Sequence, residues 1–150
     1  MKNYKIQIDD THCNICGKEL AKDELKNPTE IKAWLGYGSD HHDEEGHHIR
    51  WCFDCLAKLL ESCKLETRVS EFTEISPDDY DVQSINFLKD KLPGKFCTAC
   101  GEGLILLDIE NKLAIQTKLN GVKHEVRFCS KCFDSTIDAC KVNSFIGHWD

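Results

Sequence analysis

The feature that most constrains this chain is a cysteine pattern written twice. Cys13 and Cys16 enclose two residues and are followed by Gly17; Cys52 and Cys55 repeat the spacing further on, and Cys63 trails them. The second copy reads Cys97, Cys100 and Gly101, then Cys129, Cys132 and Cys140. A shift of 77 residues carries His47 onto His124, Trp51 onto Phe128, and Cys52 onto Cys129, while a shift of 84 carries Cys13 onto Cys97. Two thiols with two residues between them can wrap one metal ion in a tight turn, and a following glycine tolerates the positive φ that the turn needs. Two such pairs make a closed site. Cys13, Cys16, Cys52 and Cys55 are therefore assigned to one ion, and Cys97, Cys100, Cys129 and Cys132 to another. Zinc is the expected cofactor, two per chain, with tetrahedral iron left open by spacing alone. Four thiolates leave no position for water, so these sites are expected to be structural, with no catalytic residue among them.

Cysteine usage also bears on class. Ten cysteines in 150 residues would suit either a disulfide-rich secreted protein or an intracellular metal protein, and the paired spacing selects the second. The opening residues Met1–Asp10 carry no apolar run or small-residue cleavage site, and no stretch approaches the roughly 18 apolar residues of a membrane span. A cytoplasmic protein is expected. The formal charge is −7, from 19 basic and 26 acidic side chains, with an acidic excess in both halves. Thiolates around two divalent ions would push it further negative. Nucleic-acid binding rests on clustered Lys and Arg, and no such stripe is present. Another protein is the expected partner.

Taken in order, the chain divides into a first zinc unit (1–64), a linker with a helix (65–94) and a second zinc unit (95–150). In the first unit, Tyr4 to Ile8 alternates like a strand, Asp23 to Asn27 reads as a loop, and Ile31–Leu35 and His47–Trp51 read as strands. Between them lies a polar, glycine-bounded excursion, Gly36–Gly46, that the second unit lacks. A helix follows from about Asp54 to Lys64, with Leu56, Leu59, Leu60 and Cys63 on one face. In the linker, Thr67–Ile75 is weakly strand-like. Ser76-Pro77-Asp78-Asp79 caps a helix that carries Val82, Ile85, Leu88 and Leu92 and ends at Pro93-Gly94. In the second unit, Leu104–Ile109 reads as a strand, and Asn120-Gly121 joins a hairpin of Leu113–Leu119 with Val122–Phe128. A helix to about Cys140 follows, and Phe145, Ile146 and Trp149 are apolar enough to pack back on the body.

Knuckle, hairpin, then a second cysteine pair opening a helix: over 13–63 and 97–140 that order resembles the treble-clef zinc finger. The resemblance implies an α+β architecture of two tandem treble-clef-like units. The first unit is also similar to small bacterial and phage proteins with a Cys-x-x-Cys-Gly, a Gly-Tyr-Gly-Ser loop (here Gly36–Ser39) and a closing Cys-x-x-Cys. That likeness implies the fold and a bacterial or phage accessory role, and no activity. Cys63 and Cys140 lie two helical turns past their pairs and are expected to be small buried residues. Trp51 and Phe128 are expected core aromatics.

The expected function is a non-enzymatic protein-interaction or adaptor protein with structural zinc. The Gly36–Gly46 loop is the candidate recognition surface, because it is the large asymmetry between the copies. An alternative is a metal-dependent nuclease using His41, His42 and Asp43, since nucleases of the HNH type are also built on a treble clef. However, no Asn lies between His41 and Cys52, and Leu56 stands where a His often follows the last pair. A nucleic-acid-binding zinc protein is disfavoured by charge, and a redox role for Cys52/Cys55 by the missing βαβ context.

Overall fold

Alternating burial builds the first hairpin. In the computed structural model, which describes residues 11–35, 45–72 and 90–148, β1 (Thr29–Trp34) buries Thr29, Ile31 and Ala33 and exposes the residues between. It pairs antiparallel with β2 (Glu45–Trp51), with Ile31 opposite Ile49 and Thr29 opposite Trp51. Each such aliphatic side chain contributes about 1.5–3 kcal/mol on burial. The helix α2 (Phe53–Ser62) follows at once, with Cys52 as its N-cap.

The second unit repeats the construction. The strands β5 (Ala114–Leu119) and β6 (Val122–Arg127) pair with Ile115 opposite Val126, the positions that Ile31 and Ile49 hold in the first unit. The Asn120-Gly121 turn forms as expected: φ is 53° at Asn120 and 79° at Gly121, both positive as a type I′ hairpin requires. The helix α4 (Ser130–Ala139) then starts behind its own N-cap, Cys129.

Three expectations are corrected. Residues Asp23–Asn27 are not a loop: Lys22–Lys26 form a short helix, α1. Leu104–Ile109 is not a continuous strand, because β4 (Gly103–Ile105) gives way to the helix α3 (Leu106–Glu110). Leu92 does not end a helix; it lies in β3 (Lys91–Phe96), which pairs with β4.

Helices of five residues cannot hold themselves in water, and a buried carboxylate anchors each. One Glu24 oxygen accepts the Ala21 N–H (2.6 Å) and the other accepts the N–H of Phe53, at the start of α2. Asp108 does the same in the second unit. It accepts from the Ile105 N–H (3.1 Å), the Ser130 N–H (3.2 Å) and the Ser130 hydroxyl (2.7 Å). The expected strand at Tyr4–Ile8, the helix residues Val82, Ile85 and Leu88, and Trp149 lie outside the described residues. So does most of the Gly36–Gly46 excursion, whose last two residues, Glu45 and Gly46, belong to β2.

After α2 the chain crosses to the other unit. The N–H groups of Lys64 and Leu65 donate to the carbonyls of Ala99 and Thr98 (3.3 and 3.1 Å). The next residues run beside β6: Glu125 N–H donates to the Thr67 carbonyl (2.8 Å) and Val69 N–H to the Lys123 carbonyl (3.0 Å). Among the described residues of the weakly strand-like stretch, 67–72, one bridge forms, Arg68 with His124.

After α4 the chain makes the reciprocal move. Lys141 and Val142 N–H both donate to the Asn14 carbonyl (2.8 and 3.0 Å), and His48 N–H donates to the Ser144 carbonyl (2.8 Å). The strand β7 (Phe145–His148) then joins β2, making the three-stranded sheet β1-β2-β7, and buries Phe145 as its apolar character suggests.

The same two shifts that relate the cysteines carry Lys64 onto Lys141, Thr67 onto Ser144 and Asn14 onto Thr98. The halves are therefore related by an approximate two-fold, each completing the other. At their junction the rings of Trp51 and Phe128 stack, 6.4 Å between centroids and 12° between planes. Thr29 and Thr117 share a buried hydrogen bond (2.9 Å) nearby. One cluster of buried side chains runs through both halves, with Ile31, Ile49 and Leu56 from the first and Ile115, Val126 and Phe133 from the second.

Candidate metal centres

Each centre starts from a knuckle. The Cys13 N–H donates to the Lys18 carbonyl (2.8 Å) and the Gly17 N–H to the Cys13 carbonyl (2.8 Å), with φ of 81° at Gly17. Cys97 and Gly101 repeat these bonds at 2.7 and 2.8 Å, with φ of 82° at Gly101. A residue inside each knuckle fastens it to the strand that leads to the second cysteine pair. Asn14 Oδ1 accepts the Arg50 N–H (2.8 Å) and Asn14 N–H donates to the Arg50 carbonyl (2.9 Å). Thr98 Oγ1 and Thr98 N–H make the same two contacts with Arg127, both at 2.9 Å. The strand then delivers the second pair to a helix N-terminus, whose partial positive charge favours thiolates.

Two tetrads result, Cys13/Cys16/Cys52/Cys55 and Cys97/Cys100/Cys129/Cys132, with all sulfurs of each within 4.8 Å of one another. The Cys16 and Cys52 sulfurs lie 3.7 Å apart, and those of Cys100 and Cys129 lie 3.8 Å apart. A tetrahedral ion with bonds of about 2.3 Å to sulfur sets its ligands about 3.8 Å apart. The geometry therefore fits a four-coordinate ion at both sites. These are the eight cysteines that the spacing assigns, and among the described residues no other cluster of this kind forms.

Electrostatics show why such a site wants a cation. In the second tetrad the hydrogen bond from Cys129 draws Cys97 down to about 4, against its burial. That same hydrogen bond, with burial, pushes Cys129 far up, and burial together with the Cys97 charge pushes Cys132 up to about 12. In the first tetrad burial opposes ionisation of Cys16. The Lys18 backbone N–H and the neighbouring thiols outweigh it and bring Cys16 to about 7. Burial, followed by the other thiols, raises Cys55. Crowded thiols thus oppose one another's ionisation at Cys55, Cys129 and Cys132; a divalent ion among them favours the thiolate form.

Cys63 and Cys140 join neither tetrad. Burial pushes Cys63 up to about 11 and Cys140 up to about 12, and the Cys140 thiol donates to the Thr136 carbonyl (3.2 Å). Both pack against the shared core but are half-buried, each standing as the C-cap just past its helix.

His47 and His124, matched by the repeat, play matched parts. His47 Nδ1 shares a hydrogen bond with Ser144 Oγ (2.8 Å), and His124 Nδ1 shares one with Thr67 Oγ1 (2.8 Å). Each holds the segment arriving from the other half. Glu45 lies 3.0 Å from His47 Nε2, which completes a Ser-His-Glu series. With Ser144 4% and His47 3% exposed, that series holds a strand and is not open to a substrate. The symmetry of the histidines was visible in the sequence; their partners Thr67 and Ser144 were not singled out, although the same shift of 77 relates them. His41, His42 and Asp43 lie outside the described residues. No helix among those described is long and apolar enough to cross a membrane.

No known family, no curated protein and no solved structure matches the chain.

Proposed function

We propose that this is a zinc-binding, non-enzymatic interaction protein of the cytoplasm, with two treble-clef-like units whose metals hold the fold together. The observation that carries the reading is the pair of complete four-thiol clusters at tetrahedral sulfur spacing. Each unit, at about 50 residues, buries too little surface to fold firmly alone, and a Cys₄ zinc site contributes on the order of 10 kcal/mol of coupled folding energy. A site filled by four protein sulfurs has no room for a reacting water, so its role is architectural. Zinc is the proposed ion because a closed tetrahedral set of four thiolates is its usual structural site, and its filled d shell accepts that geometry without cost.

The partner we propose is another protein. The net charge of −7 opposes phosphate backbones, and the Gly36–Gly46 insertion is a polar stretch of sequence that one half carries and the other lacks. A bacterial or phage accessory role follows from the likeness of the first unit alone.

The test is elemental analysis of the purified chain, followed by incubation with nucleic acid and divalent metal. Two zincs per chain with no cleavage and no salt-sensitive retention on DNA or RNA is the expected result. Metal-dependent cleavage abolished by His41→Ala would replace this reading with a nuclease, and a chain purified without metal would remove its basis.

A further inference from the structure

The reciprocal crossing gives each metal centre a neighbour it does not share sulfur with. Asn14 lies inside the first knuckle, between Cys13 and Cys16. Its carbonyl accepts from Lys141 and Val142, and its Nδ2 donates to the carbonyls of Val142 and Asn143 (3.2 and 3.4 Å). Those residues follow directly from α4, the helix that Cys129 and Cys132 begin. Thr98, inside the second knuckle, accepts from Leu65, and Ala99 accepts from Lys64. Those residues leave α2, the helix that Cys52 and Cys55 begin. An ion in one tetrad fixes the start of a helix whose far end clamps the knuckle of the other tetrad. The stacked Trp51 and Phe128, each one residue before a ligand pair, tie the same two places together a second time.

We propose that the two centres load metal as one cooperative unit, each knuckle being held in ligating shape by the segment that leaves the other centre's helix. This rests on the reading that the tetrads hold zinc. Placing the first ion orders its own helix and thereby the clamp on the other knuckle. The second ion then meets ligands already arranged and binds with less ordering to be done. Coupling between sites is commonly about 5–150-fold, and the double clamp here puts the expected value at roughly tenfold or more.

Native mass spectrometry of the full chain, reduced and metal-free, then titrated with zinc, reads this directly. With tenfold coupling, chains carrying one zinc make up about a quarter or less of the total at one zinc per chain, the rest being empty or doubly loaded. Singly loaded chains at half the total or more would overturn the proposal while leaving the zinc reading intact. Failure to take up zinc at all would remove both.

Two variants that keep all eight ligands give an independent reading. Leu65→Pro removes the N–H that binds the Thr98 carbonyl, and Val142→Pro removes one that binds Asn14. In zinc-loaded protein challenged with a thiol-alkylating reagent and mapped by peptide mass, Leu65→Pro should expose Cys97 and Cys100 first, and Val142→Pro should expose Cys13 and Cys16 first. Exposure in the half that carries the substitution, or in neither, would refute the crossed clamp. Should either variant fail to fold, the wild-type titration still decides.

Discussion

Replacing Asp108 by alanine tests how the second centre is built. Asp108 is 5% exposed and accepts from the Ile105 N–H, the Ser130 N–H and the Ser130 hydroxyl. The hydroxyl can turn to another acceptor, whereas the two backbone donors cannot move. A buried donor left without an acceptor costs about 1–3 kcal/mol, so two cost about 2–6 kcal/mol. Removing the carboxylate also relieves its own desolvation, which is why burial raises its pKa and why the lower half of that range applies. About 3 kcal/mol is the expected loss, which for a chain of this size is roughly 6–12 °C in Tm. Asp108→Asn keeps one acceptor oxygen and sets an amide donor against a backbone N–H, so it should fall between alanine and wild type. Scanning calorimetry with zinc held at one fixed excess is the assay, because bound metal shifts Tm by mass action. Ser130 lies between Cys129 and Cys132, so zinc should also leave the second centre faster. A Tm within about 1 °C of wild type for Asp108→Ala would refute the idea that a carboxylate pins α3 to α4.

Metal affinity should depend steeply on pH. Cys129 and Cys132 are held protonated at neutral pH and must each lose a proton to bind. Affinity at the second centre should therefore fall at least about a hundredfold per unit of falling pH, as two protons displaced per ion require; chelator competition between pH 8 and 6 measures it, and a flat profile would contradict the assignment. Trp51→Ala removes half of the stack on Phe128 and leaves a large cavity, at an expected cost of about 3–5 kcal/mol. Because the core is continuous, the loss should appear as one transition in chemical denaturation and not two. Gly46→Ala would place a Cβ 2.6 Å from the Trp34 ring, forcing the indole off the sheet at about 1–3 kcal/mol; a near-wild-type Tm with unchanged tryptophan fluorescence would show that Trp34 does not lie there.

The ligand set was legible because thiol spacing is a local rule, and the Asn120-Gly121 hairpin because its turn chemistry is local too. The short helices were not, since five residues carry no measurable period and their anchors act across the fold. Yet the shift of 84 that relates Cys13 to Cys97 also relates Glu24 to Asp108, and following the repeat past the cysteines would have found them. The crossing was illegible for a different reason. Thr67 to Val69 runs beside β6, and nothing in three residues says which strand edge, their own unit's or the other's, they will meet.

The stacked pair at the junction has a consequence for how the two copies can vary. A residue that faces its own duplicate across a two-fold must fit against itself, so in an assembly of identical chains every substitution there is made twice. When both copies lie on one chain, the two positions are free to differ. Here one is Trp51 and the other Phe128, and the facing hydroxyls come from Thr29 and Thr117, positions that the repeat matches with Leu113 and Ala33. Covalent linkage lets this centre be filled by unlike halves, and the same freedom allows an insertion such as Gly36–Gly46 to be carried on one side without a duplicate on the other.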